Sequence, residues 1–157
     1  MLPESITGAA ERFGDRDALI FEGRPPVTFA ELHERSDRAA SALAHAGVEE
    51  GTVAALAMPS SADYVVAYLA LAKLGAVTAG INTRMSTDER RRVFGRLQPD
   101  LVVESLSYRD GEPPALAPDP DRVVTIVFTS GTSGEPKGAV FTNRQLEAIT
   151  RIDAGGM

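Results

Sequence analysis

The sequence predicts an α/β protein with a mostly parallel sheet and flanking helices. Two observations carry this expectation. Short uncharged runs at residues 53–58, 76–81, 101–103 and 123–128 alternate with longer stretches of helical spacing. Strands alternating with helices in this way form parallel β-α-β units with right-handed crossovers. The hydroxyl-x-x-Glu pattern of a capping box also occurs twice ahead of such stretches, at Thr28/Glu31 and at Ser86/Glu89. With 157 residues, 43% apolar and 24% charged, the chain can bury one compact core.

Taken in order, residues 2–13 put Ile6, Ala10 and Phe13 on one side of a short helix. Residues 18–21 form a short strand, 22–26 a turn by their glycine and prolines, and 27–28 a return strand. Phe29, Leu32, Ala39, Ala40 and Leu43 follow helical spacing, so a helix spans 29–46, and Gly47 supplies its left-handed stop. Glu31, Arg35, Asp37 and Arg38 are expected on its wet face, and His33 and His45 as solvated histidines. The strand at 53–58 ends at Pro59-Ser60-Ser61, where Ser60 caps a helix over 62–74. That helix is apolar over most of its surface and must be covered on more than one side. Lys73, near its end, is expected to face the helix carboxyl terminus or to reach water along its own stem. Gly75 stops the helix and a strand follows at 76–81. After the polar break Asn82-Thr83-Arg84, Ser86 opens a helix that turns Val93, Phe94 and Leu97 inward and ends at Gln98-Pro99. A strand at 101–103 leads into residues 105–122, where four prolines predict a long exposed connector. Residues 123–128 read as a strand buried on both faces, because such a strand need not alternate. A short extended run at 139–141 follows the next loop, and Asn143 caps a last helix through about residue 153.

Composition narrows the function. A net charge of −6 and a pI near 4.9 argue against nucleic acid as a general partner. Without cysteine there is neither disulfide nor thiolate chemistry, and two isolated histidines make no metal cluster. No leader is read at the amino terminus and no apolar run approaches membrane-spanning length, so a cytoplasmic protein is expected.

The chemistry is concentrated in residues 129–138, TSGTSGEPKG, between the last two strands. This loop holds three glycines, four hydroxyl side chains and one lysine. Glycines let backbone N–H groups converge on one spot, hydroxyls add donors, and Lys137 adds a compact positive charge. Together these suit a polyphosphate. Glu135, beside Pro136, is expected to point to water. The loop is not a Walker A motif, since Pro136 precedes Lys137, Gly138 follows it and an extended segment comes next. Nor is it the dinucleotide fingerprint, because Gly131 and Gly134 supply only its last spacing.

TSGTSGEPKG is similar, over all ten positions, to the phosphate-binding signature of the adenylate-forming enzymes. These comprise acyl-CoA synthetases, adenylation domains of peptide synthetases, and luciferases. Residues 28–82 resemble the family's amino-terminal portion, with the fatty-acid and related acyl-CoA ligases as the most similar branch. Two departures stand out. Gly80 and Thr83 occupy a neighbourhood where the family commonly has prolines, and Asn143 stands where many members carry a histidine near the acyl and thiol channels.

The resemblance implies the amino-terminal part of the family's large AMP-binding domain, with the phosphate loop at 129–138 and the proline-rich loop at 105–122. It implies ATP and Mg2+ as cofactors, coenzyme A as co-substrate, and a fatty acid or related carboxylic acid as the activated partner. Thr129, Ser130, Gly131, Thr132, Ser133, Gly134 and Lys137 would wrap the β- and γ-phosphates. No metal-ligating or catalytic residue falls in this chain, because the family's adenine-binding, ribose-binding and catalytic-lysine segments lie in later sequence. The chain is therefore expected to be a truncated product, one half of a split gene or an excerpt, and to be inactive alone. Alternatives are a non-catalytic or partner-binding fragment and an adenylation domain serving a carrier protein. Self-association through an open sheet edge, or docking to a missing carboxyl-terminal part, is a further expectation.

Overall fold

A computed structural model describes residues 2–129 and 136–154, with side chains for 4–129 and 136–149. The elements are α1 (Leu2–Phe13), β1 (Asp17–Leu19), β2 (Val27–Thr28), α2 (Phe29–His45), β3 (Val53–Leu56), α3 (Ala62–Lys73), β4 (Val77–Gly80), α4 (Thr87–Leu97), β5 (Leu101–Val103), β6 (Val123–Thr129), β7 (Lys137–Thr142) and α5 (Asn143–Ala154). β1 and β2 form an antiparallel pair that leads into α2. The main sheet has the order β5-β3-β4-β6-β7. Its first four strands are parallel, and β7 returns antiparallel to β6.

Helices start and stop where local chemistry requires. Thr28 and Glu31 form a reciprocal capping box on α2, as Ser86 and Glu89 do on α4. After α2, Gly47 adopts φ +94°, and Val48 N–H reaches back to Leu43 O. After α3, Gly75 adopts φ +70°, and Ala76 N–H reaches Leu71 O. Both are Schellman closures, and each aims the chain straight at the next strand or loop. The α3 cap is Ser61, whose side chain accepts from Tyr64 N–H, not Ser60 as expected. β1 is shifted from the expected 18–21 because the chain turns away after Leu19, which leaves Ile20 77% exposed.

The core has two parts, one on each face of the sheet. Ala54, Leu56 and Val103 point to the face covered by α2 and α3, where Leu32, Val66 and Leu71 are buried. Ala55, Ala57 and Ile81 point to the other face, under Val93, Phe94 and Leu97 of α4. The alternation along β3 matches its position between two helical layers. Each large side chain fully withdrawn from water contributes about 1.5–3 kcal/mol.

Lys73 does not reach water, and His33 is not simply solvated. Lys73 is 6% exposed between α2 and α3. Its Nζ donates to Asp37 Oδ1 at 2.6 Å and Ser36 Oγ at 2.7 Å, and lies 3.1 Å from His33 Nδ1. An ammonium has no lone pair, so His33 Nδ1 is the acceptor there and Nε2 faces Asp37 Oδ2 at 3.4 Å. Burial lowers the Lys73 pKa, and the hydrogen bond and charge of Asp37 oppose that shift. The helical wet face therefore lacks Asp37, which turns inward to meet a buried cation.

Residues 104–122 carry no regular secondary structure, and they are pinned rather than free. Arg109 N–H donates to Arg38 O. Arg122, 8% exposed, donates from Nε to Glu50 Oε1 at 2.9 Å and from Nη2 to Ala117 O at 2.9 Å.

β6 is not buried on both faces. Only Thr125 is buried, and Val127 is 48% exposed. The reason is position: β6 pairs outward with β7, a strand that is itself mostly exposed, and α3 and α4 cover the sheet nearer its middle. Asn143 lies within α5 rather than ahead of it. It is 4% exposed and donates from Nδ2 to Asp119 O at 2.9 Å. Gln145 Oε1 instead accepts the Thr142 N–H, which makes Thr142 the capping position.

Candidate phosphate-binding site

The loop that carries the signature joins two strands of one ladder. Phe128 pairs with Gly138, and Thr129 with Lys137. Thr129 Oγ1 also donates to Lys137 O at 3.5 Å, a marginal bond that sits at the ladder's end. Of the expected phosphate ligands, Thr129 and Lys137 are thus brought together, and Lys137 is exposed there. Ser130, Gly131, Thr132, Ser133 and Gly134 lie outside the described residues, as does Glu135. Gly138 has a packing reason. A Cβ there would lie 3.0 Å from Ile126 Cγ2 and 3.4 Å from the Phe128 ring, so glycine lets the ribbon close directly behind Lys137.

All four parallel strands point their carboxyl ends to the same end of the sheet. Counting on from the pair Ala79↔Ile126, Asn82 and Thr129 leave the sheet at the same level. The end of β6 at Thr129 therefore lies beside the segment that follows β4. Between the ends of β3 and β4 opens a crevice of about 640 Å³, lined in part by Ser60, Tyr64, Asn82 and Arg84. Sequence reasoning treated Asn82-Thr83-Arg84 only as a break, although a polar tripeptide at a parallel strand's carboxyl end is the available signal. A second cavity, of about 710 Å³, lies among Arg24, Glu31, Glu34, Arg35 and Asp63. Two arginines face three acids there, and Arg35 is paired with Asp63.

Buried Lys73 and half-buried His33 belong to the α2–α3 contact. Among the described residues, no group of three or more His, Cys, Asp or Glu is arranged to hold a metal ion. Among them, too, no helix is long and apolar enough to cross a membrane.

An antiparallel β6–β7 ribbon closes the parallel sheet, and the sequence between the two strands is the glycine- and hydroxyl-rich signature. The chain belongs to the AMP-binding enzyme family, whose model matches residues 6–111 and 97–154. It is 30% identical to a probable CoA ligase, CCL9, of Humulus lupulus, over 88% of this chain and 33% of that protein. It is 26% identical to crotonobetaine/carnitine–CoA ligase of Citrobacter koseri, over 87% of this chain and 35% of that protein. Among solved structures, O-succinylbenzoate coenzyme A synthetase from Bacillus subtilis, in complex with AMP, superposes with a TM-score of 0.80 at 28% identity, covering 97% of this chain and 46% of that one. The chain spans about a third of the length of the curated relatives it matches. The family consists of acyl-adenylate-forming ligases, and the mixed α/β fold with its mostly parallel sheet is that of their amino-terminal subdomain.

Proposed function

We propose that this chain is the amino-terminal part of an ATP-dependent carboxylate–CoA ligase and supplies its grip on the leaving pyrophosphate. A carboxylate oxygen attacks the α-phosphorus of ATP, and the bond to the β-phosphate oxygen breaks. The products are an acyl-adenylate and pyrophosphate. The sulfur of coenzyme A then attacks the acyl carbon and AMP leaves. Negative charge builds on the departing pyrophosphate, so donors aimed there lower the barrier. In this reading Thr129, Ser130, Thr132 and Ser133 donate through hydroxyls, Gly131 and Gly134 through backbone N–H, and Lys137 through its charge. Mg2+ would arrive with ATP, because the described residues offer it no acidic cluster.

The carrying observation is the Thr129↔Lys137 pair at the mouth of the signature loop, at the carboxyl end of the parallel sheet. The acid is left at its class. Two of the relatives above are named for different acids, crotonobetaine or carnitine in one and O-succinylbenzoate in the other, so a fatty acid is one candidate among several. The defining experiment is carboxylate-dependent ATP–pyrophosphate exchange by the protein that contains this chain, surveyed over aliphatic and aromatic acids. Lys137→Ala should lower exchange by about 10- to 150-fold, the worth of one charge-assisted hydrogen bond. Exchange at an unchanged rate in that variant refutes the assignment.

One observation favours a second reading alongside it, that of a fragment that works through a partner. Val127 and Val140 are 48% and 52% exposed on opposite faces of the paired strands, so the ribbon leaves an apolar side chain uncovered on each face for another segment or copy. Synthesis of acyl-CoA by the isolated chain would argue against any such dependence.

A further inference from the structure

The crevice between the ends of β3 and β4 follows from the sheet's topology. β3 connects through α3 to its neighbour β4, while β4 connects through α4 back past β3 to β5. The two connections depart in opposite directions and cover opposite faces. The carboxyl ends of β3 and β4 therefore separate, and ligands of open α/β sheets sit at such a reversal. Its volume of about 640 Å³ falls within the range of small-molecule sites.

The walls specify the ligand's chemistry. A Cβ on residue 80 would lie 2.6 Å from Tyr64 Oη, so Gly80 is what allows the phenol to lie across the strand end. Burial raises the Tyr64 pKa, and the hydroxyl keeps its proton as a donor at neutral pH. Asn82 Oδ1 accepts from Arg84 N–H at 2.9 Å, which leaves the Asn82 amide hydrogens for another acceptor. Among the described residues, neither the Tyr64 hydroxyl nor the Arg84 guanidinium has a hydrogen-bond or ion-pair partner. Ser60 and Thr83 add hydroxyls, and among the described residues no acid lines the space and Arg84 is the one that carries a charge. In a chain of net charge −6, such a wall selects an anion over a cation.

We infer that this crevice is an oxyanion subsite, in which Arg84 and the Tyr64 hydroxyl above Gly80 hold a phosphate or carboxylate group of a substrate. Only the identity of that substrate rests on the adenylation reading. The affinity for an oxyanion follows from the crevice residues themselves.

The test is a titration of the 15N-labelled chain at constant ionic strength, with sodium pyrophosphate in one arm and sodium benzoate in the other. Saturable shifts of the amides of residues 80–84 and Tyr64 are expected in at least one arm, and the arm identifies phosphate or carboxylate as the source. Arg84→Gln should raise the dissociation constant by about 10-fold or more, and Tyr64→Phe by about 2- to 10-fold. Both variants should keep the wild-type amide dispersion, because Arg84 is exposed and Phe preserves the ring. Gly80→Ala, which displaces the phenol, should match Tyr64→Phe. Lys137→Ala should leave the crevice response intact. Shifts that do not saturate at residues 80–84 in either arm, or an affinity unmoved by Arg84→Gln, overturn the inference. If residues 80–84 respond to pyrophosphate while Thr129 and Lys137 do not, the phosphate-loop reading fails and the crevice stands.

Discussion

At the scale of single residues, Lys73 and Asp37 show why a buried pair must be judged as a pair. Lys73 is 6% exposed and has Ser36 and His33 as further acceptors. Asp37→Ala leaves that ammonium without its counter-charge, so it should lower unfolding free energy by about 3–5 kcal/mol in a denaturant titration. The double variant Asp37→Leu/Lys73→Met should recover most of that loss, because no charge is then left buried. The two helix-stop glycines offer a second contrast. Gly47 and Gly75 both have positive φ, and a side chain at Gly47 would meet nothing within 4 Å. Gly47→Ala should cost about 1–2 kcal/mol from backbone strain alone. Gly75→Ala should cost more, since its Cβ would lie 3.0 Å from Leu116 Cδ1, 3.2 Å from Glu50 Cγ and 3.3 Å from Arg122 Nε. Thermal melts of the two variants check the order, and equal losses would show that the Leu116 and Arg122 contacts yield freely.

Elements were legible wherever a local rule fixes them. Both capping boxes were readable because four adjacent residues contain the whole device, and both glycine stops because only φ is at issue. Lys73 was misread because its partners lie a helix away, 36 to 40 residues back in the chain. The Ser60/Ser61 choice was not decidable from type, since either hydroxyl can cap. The α4 capping box and the Asp121–Arg144 pair also predict an acid response. Glu89 has a lowered pKa, chiefly from its side-chain and backbone hydrogen bonds at Ser86, and Asp121 from its hydrogen bonds to Arg144. Folded values below the unfolded ones mean that this stabilisation is complete above about pH 4–4.5 and is lost as pH falls through the folded values. Amide exchange in α4 should therefore accelerate on acidification through that window. Ser86→Ala should flatten the dependence for Glu89, and an unchanged profile would dismiss the linkage.

For the whole molecule, the parallel sheet and its helical layers could be read from alternation, but the degree of cover could not. An uninterrupted apolar run such as residues 123–128 looks the same whether a strand is sheathed on both faces or waits for a neighbour. The phosphate-loop signature could be picked out for the same reason as the caps, because it is contiguous, and of its residues the structure describes Thr129, Pro136, Lys137 and Gly138. The crevice could not, because Tyr64 and Gly80 meet only after α3 and β4 have packed. Exposed Val127 and Val140 lead to a prediction at this scale. Sedimentation of the isolated chain should show reversible association, and Val127→Lys/Val140→Lys should reduce it. A strictly monomeric chain across the micromolar range would leave the apolar ribbon without that role.

The attachment of β6 to β4 also has a temporal side. Thr125 Oγ1 donates to Thr78 O across a separation of 47 residues, and the span between them includes the irregular stretch before Arg122. The β6–β7 ribbon can form by itself, and the α2–α3 pair needs only short closures, but joining them must wait for that large loop to close. The β6–β7 end of the molecule is thus expected to assemble last during folding, after the layers that support it have set.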